Sequence, residues 1–70
     1  MDELYLVNVS SLEIRKEPYE PSKVCLKKDT VVKRMNSKTR QHRKEEWILV
    51  STVSNPIISG YIPKKYLTKI

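Results

Sequence analysis

WILVSTV, residues 47–53, is the most strand-prone stretch of this chain, dense in aromatic and β-branched side chains. Alternation along a strand puts Ile48 and Val50 on one face and Trp47 on the other, so with the aliphatic pair facing inward the indole is expected to be partly exposed. Downstream, SNPIISG (54–60) reads as a hairpin connection. Gly60, the only glycine, stands where a strand begins or where the backbone passes close to a neighbour. GYI then reads as a short strand, PKKYL as a single turn begun by proline, and TKI as a final edge strand.

Upstream of Trp47, YLVNV (Tyr5–Val9) reads as the first strand, with Tyr5, Val7 and Val9 on one face. LEIRKEPYEPSK has two prolines and alternating charges, which suit a long irregular loop. Apolar character resumes at Val24–Leu26, KKDT reads as a turn, and Val31–Met35 is a further strand. Its register is open, because Val31 and Met35 flank Lys33 whereas Val32 shares its face with Arg34. The basic stretch 36–46 is expected to be a loop. No internal repeat or linker breaks the chain. Five short strands with one long early loop point to a small all-β barrel formed as one domain over residues 1–70, since a sandwich usually needs about 100 residues.

A chain of 70 residues hides only about 60% of its exposable surface on folding, so its core must be compact. One cysteine cannot close an internal disulfide, and Cys25, inside the triplet VCL, is expected to be a small buried hydrophobe. No apolar run is long enough to span a membrane. The start, MDELYLVNVS, lacks the basic and apolar regions of a secretion signal, which leads to the expectation of a cytoplasmic protein, or of a domain cut from a longer chain.

The net charge of +6 is localised. Six of the 14 Lys and Arg, namely Lys33, Arg34, Lys38, Arg40, Arg43 and Lys44, lie in KRMNSKTRQHRK (33–44), which has no acid, and the other eight balance the eight Asp and Glu. The chain is therefore a neutral domain carrying one basic segment. That segment is either a solvated loop or a surface that contacts phosphates through Lys38, Arg40, Arg43 and Lys44. It has no aromatic residue for base stacking. His42 has no second histidine or cysteine cluster with which to bind metal. Ser, His and acids occur at no catalytic spacing, and one glycine cannot build a phosphate-cradling loop. We therefore expect no enzyme and no cofactor.

EEWILV (45–50) followed by SGYIPKKYL (59–67) resembles the Src-homology-3 (SH3) superfamily, whose pattern is acids, Trp and an apolar strand, then Gly-aromatic-apolar-Pro-x-x-Tyr-apolar. LEIRKEP (12–18) and KVCLKKDTVV (23–32) resemble the bacterial branch, with approximately Leu-Asn-Val-Arg-x-x-Pro, an apolar strand and Lys-Lys-Gly-Thr. Ile14, Arg15 and Pro18 match, and Asp29 replaces the usual glycine, a change that a left-handed turn position tolerates. The resemblance implies a five-stranded SH3-like barrel with a single 3-10 turn before the last strand.

The tyrosine motif that opens eukaryotic members, Ala-Leu-Tyr-Asp-Tyr, is missing; counting back from Leu26 puts Ile14 and Lys16 at its tyrosines. What the resemblance carries over of a peptide groove is Trp47, Tyr61, Pro63 and Tyr66, with Glu17 and Glu20 as loop acids close to Arg15, Lys16 and Lys23. These residues imply a monomeric module that binds a peptide or partner protein through an aromatic face. The alternatives are binding of nucleic acid or another polyanion through 33–44, and cell-wall recognition, which requires export. For Trp47 and its three companions, packing between strands is the competing role.

Overall fold

The computed structural model describes residues 3–70. Its strands are β1 Leu4–Val7, β2 Ser11–Glu13, β3 Cys25–Lys27, β4 Val31–His42, β5 Glu45–Thr52, β6 Ser59–Pro63 and β7 Leu67–Lys69, with one 3-10 turn, Lys64–Tyr66, before the last. The all-β class is as expected, but the closed five-stranded barrel is not. A five-stranded sheet of order β6-β5-β4-β1-β7 remains open, and β2 and β3 form a separate two-stranded sheet. The early segment read as a long loop supplies one strand of this second sheet, β2, and the apolar stretch at Val24–Leu26 leads into the other, β3. Leu12 pairs with Leu26 across it, so both side chains face the same core.

One apolar cluster joins the two sheets: Leu12, Ile14 and Leu26 from the small sheet and its flank meet Tyr5, Val7, Val32, Ile48, Val50, Ile62 and Leu67. Val7, Val32, Ile48, Val50 and Ile62 have no exposed surface, and burying each such side chain contributes roughly 1.5–3 kcal/mol. The sheets are also joined through the backbone, because Arg15 and Tyr61 exchange N–H···O bonds in both directions. At that crossing Gly60 is required by space: a Cβ there would lie 2.6 Å from the Arg15 carbonyl oxygen and 2.9 Å from Ile14 Cγ1.

The ambiguous register of β4 resolves with Val32 inward. Arg34 escapes the core by turning to the sheet edge, where it meets Glu3 at 3.5 Å and donates to the carbonyls of Ser37 and Lys38. Two expectations are corrected in this region. The basic stretch is a strand for most of its length: Thr39, Arg40, Gln41 and His42 pair with Ile48, Trp47, Glu46 and Glu45. The ribbon turns at Arg43 and Lys44, both left-handed, with φ of 51° and 67°, as in the tight turns whose twist suits antiparallel strands. Residues 35–41 are exposed, so no apolar alternation marked them. Cys25 is exposed too, because the inward position in VCL belongs to Leu26 and alternation sends its neighbours outward.

Candidate functional site

Trp47 lies on the face of β5 opposite Ile48, as alternation requires, yet it is only 6% exposed. This corrects the expectation of a partly open indole. Its cover comes from outside the core. The Arg15 guanidinium lies 5.3 Å from the ring centroid, His42 meets the ring edge-on at 6.3 Å, and Pro63 is its neighbour on β6. Arg15 is held there by Glu13 and by the Pro18 carbonyl at 2.9 Å. The indole N–H is buried and meets no acceptor among the described residues. Such an unmet donor costs roughly 1–3 kcal/mol unless something pairs with it.

Two hollows adjoin at Trp47. One, of about 360 Å³, is a mostly apolar groove in which Trp47, Pro63 and Tyr66 face Val9, Leu12 and the Glu13–Arg15 pair. The other, of about 250 Å³, is more polar and is walled by Arg15, Tyr19, His42, Arg43, Glu45 and Trp47. A third hollow of about 450 Å³ is walled by Lys44, Glu45, Glu46, Lys64 and Lys65. No apolar residue lines it, and two of its charges, Lys65 and Glu45, pair with each other at 2.8 Å.

The structure therefore brings three of the four expected aromatic-face residues into one groove and leaves Tyr61 outside it. Tyr61 lies under Arg40, whose guanidinium is 5.4 Å from the ring centroid and 2.8 Å from the Glu17 carboxylate. Contact with Tyr61, and then with Glu17, raises the pKa of Arg40. Glu17 thus pairs with the ribbon, and Arg15, two residues before it, pairs instead with Glu13. Glu20 is exposed, lines neither hollow at Trp47, and anchors only through its backbone N–H on the Glu17 carbonyl. Of the four cations proposed for polyanions, Arg40 is committed to Glu17 and Tyr61. Lys38, Arg43 and Lys44 form no ion pair among the described residues.

No family model, curated protein or solved structure matches this chain. The site must be understood from its own geometry. Among the described residues no group of three or more His, Cys, Asp or Glu is placed to hold a metal ion, and no helix is long and apolar enough to cross a membrane. Val9, Leu12, Glu13, Arg15 and His42 are site residues that the sequence did not single out as such. Val9, Leu12, Glu13 and Arg15 come to this site from the other half of the chain, and His42 reaches the ring because β4 folds back on β5, so no local spacing signals them. Arg15 and Leu12 were noticeable only as members of an N-terminal motif.

Proposed function

We propose that this chain is a non-catalytic interaction domain of SH3-like type that binds a peptide or partner surface in the groove of Trp47, Pro63 and Tyr66. The observation that carries this reading is Trp47 itself: a large side chain excluded from the core cluster, lining two adjoining hollows, with a buried N–H that meets no acceptor among the described residues. A bound carbonyl that displaced part of the Arg15 cover would satisfy that donor while the ring and Pro63 supplied apolar contact. The SH3-like assignment is supported by the Ser59–Pro63 strand leading directly into one 3-10 turn and by Asp29 at φ 70° where that family's glycine stands. Titration of the labelled protein with short proline-containing peptides tests the reading, with amide shifts expected at Val9, Leu12, Trp47 and Tyr66. Shifts confined to other surfaces, or unchanged association after Trp47→Ala in a folded variant, would remove it.

A second reading, electrostatic binding of a polyanion, rests on the outer end of the ribbon. There Lys38, Arg43 and Lys44 are exposed and free of ion pairs among the described residues. Replacing Lys38 and Arg43 by Ser should lower the salt slope of oligonucleotide binding by about two if both meet phosphates. A slope that stays constant excludes these contacts.

A further inference from the structure

At three places an aromatic ring and a carboxylate already hold one of the chain's own cations: Lys65 lies over Tyr66 and pairs with Glu45, and at the other two the cation is an arginine. Arg15 lies over Trp47 and pairs with Glu13. Arg40 lies over Tyr61 and pairs with Glu17. A ligand arginine or lysine arriving at either of these two would have to expel an internal guanidinium that is already paired, and it would meet that charge as repulsion. What the surface leaves open has the opposite character. The polar hollow beside Trp47 presents Arg15, His42, Arg43 and the Tyr19 ring, which is 60% exposed. Lys38 and Lys44 add exposed positive charge on the same ribbon. The one carboxylate in that wall, Glu45, is paired to Lys65 at 2.8 Å.

We propose that the partner is an acidic peptide whose apolar residues occupy the Val9–Leu12–Trp47–Pro63–Tyr66 groove and whose carboxylates enter the adjoining hollow between Arg15, His42 and Arg43. This rests on the groove reading above and names the chemistry of its ligand. Arg15 links the two parts, because it walls both hollows. Its guanidinium, held over the indole, serves as the platform for a carboxylate. A nucleic acid fits less well, since Arg34 and Arg40 are withdrawn from the basic row by Glu3 and Glu17 and the groove itself is apolar.

Trp47 is the only tryptophan, so its fluorescence reports directly on this junction. Blocked peptides sharing a Pro-Leu-Pro core and flanked by Glu, by Gln or by Lys are titrated into the intact domain. The Glu peptide should bind roughly tenfold tighter than the Gln peptide, and the Lys peptide more weakly than either. Arg43→Asn keeps a residue suited to the left-handed turn and should remove most of the Glu preference, read as the ratio of the Gln and Glu peptides' Kd values. Equal binding of the three peptides at the groove overturns the acidic partner and leaves the groove reading standing. If no peptide binds, both fall, and if a single-stranded oligonucleotide alone binds, they fall in favour of the ribbon.

Discussion

Arg40 on β4 and Glu17 in the loop between the small strands meet at 2.8 Å, tying the flank of the groove to the long ribbon. Both side chains keep a third or so of their surface open, at 44% and 32%, so solvent and salt weaken the attraction. A double-mutant cycle with Arg40→Ala and Glu17→Ala should give a small favourable coupling that shrinks in high salt. Urea melts at two ionic strengths measure it, and a coupling insensitive to salt would contradict this account.

Gly60→Ala should destabilise the fold by about 1–3 kcal/mol. The added methyl would strike the Arg15 carbonyl, a backbone atom held by its bond to Tyr61. Relief would require the two sheets to move apart. The urea midpoint is expected to fall without a change in slope.

Arg43 and Lys44 both adopt left-handed backbone, which side chains with a Cβ resist. The pair Asn-Gly favours that geometry, so Arg43→Asn with Lys44→Gly should raise stability by roughly 0.5–1 kcal/mol. Unchanged or lowered thermal stability would show that the ribbon end has another conformation in solution.

Glu3 and Tyr5 predict how stability responds to pH. The Tyr5 hydroxyl donates to Glu3 at 2.9 Å, and this bond, followed by the nearby Lys69 and Arg34 charges, lowers the Glu3 pKa. Its folded value lies below its unfolded one, so its stabilisation is present above the ordinary carboxylate range and is lost as pH falls through the folded value. Burial, and then Glu3, raises the Tyr5 pKa. The neutral phenol is favoured in the fold, so that contribution is intact below the unfolded value and disappears as pH rises through the folded one. Glu3→Gln should flatten the acid limb of the stability curve, and Tyr5→Phe the alkaline limb.

Trp47→Phe separates the ring from its N–H. The unmet donor disappears while most apolar contact remains, so stability should change by no more than about 1 kcal/mol, against a loss of about 3–5 kcal/mol for Trp47→Ala. If a ligand carbonyl pairs with the indole, Trp47→Phe should weaken peptide binding roughly tenfold. Calorimetric titration beside thermal melts separates the two effects.

Strands with one buried face were legible in the sequence. Ile48 and Val50 face inward, Tyr5 and Val7 likewise, and the proline-led turn precedes a last edge strand. Residues 36–42 were not, because a ribbon exposed on both sides needs only backbone pairing and a compatible turn, neither of which leaves an apolar period. β2 was hidden by the prolines that follow it. The site was half legible: the resemblance pointed to Trp47, Pro63 and Tyr66, while the arginine over Trp47 and the one over Tyr61 depend on tertiary contacts. Those contacts changed the charge that the surface presents.

The ribbon has a consequence for how copies of the molecule behave together. β1 pairs with β4 only along Val31–Lys33, and its flank reaches Arg34 through one bond from Glu3. Farther out, the β4 edge meets no other strand among the described residues. A bare strand edge invites edge-to-edge polymerisation, and here Lys38, free of ion pairs among the described residues, stands along it while Arg43 and Lys44 close its end. Their mutual repulsion between molecules keeps that edge from becoming a template. Variants that neutralise Lys38, Arg43 and Lys44 should therefore aggregate or form fibres more readily than the parent domain.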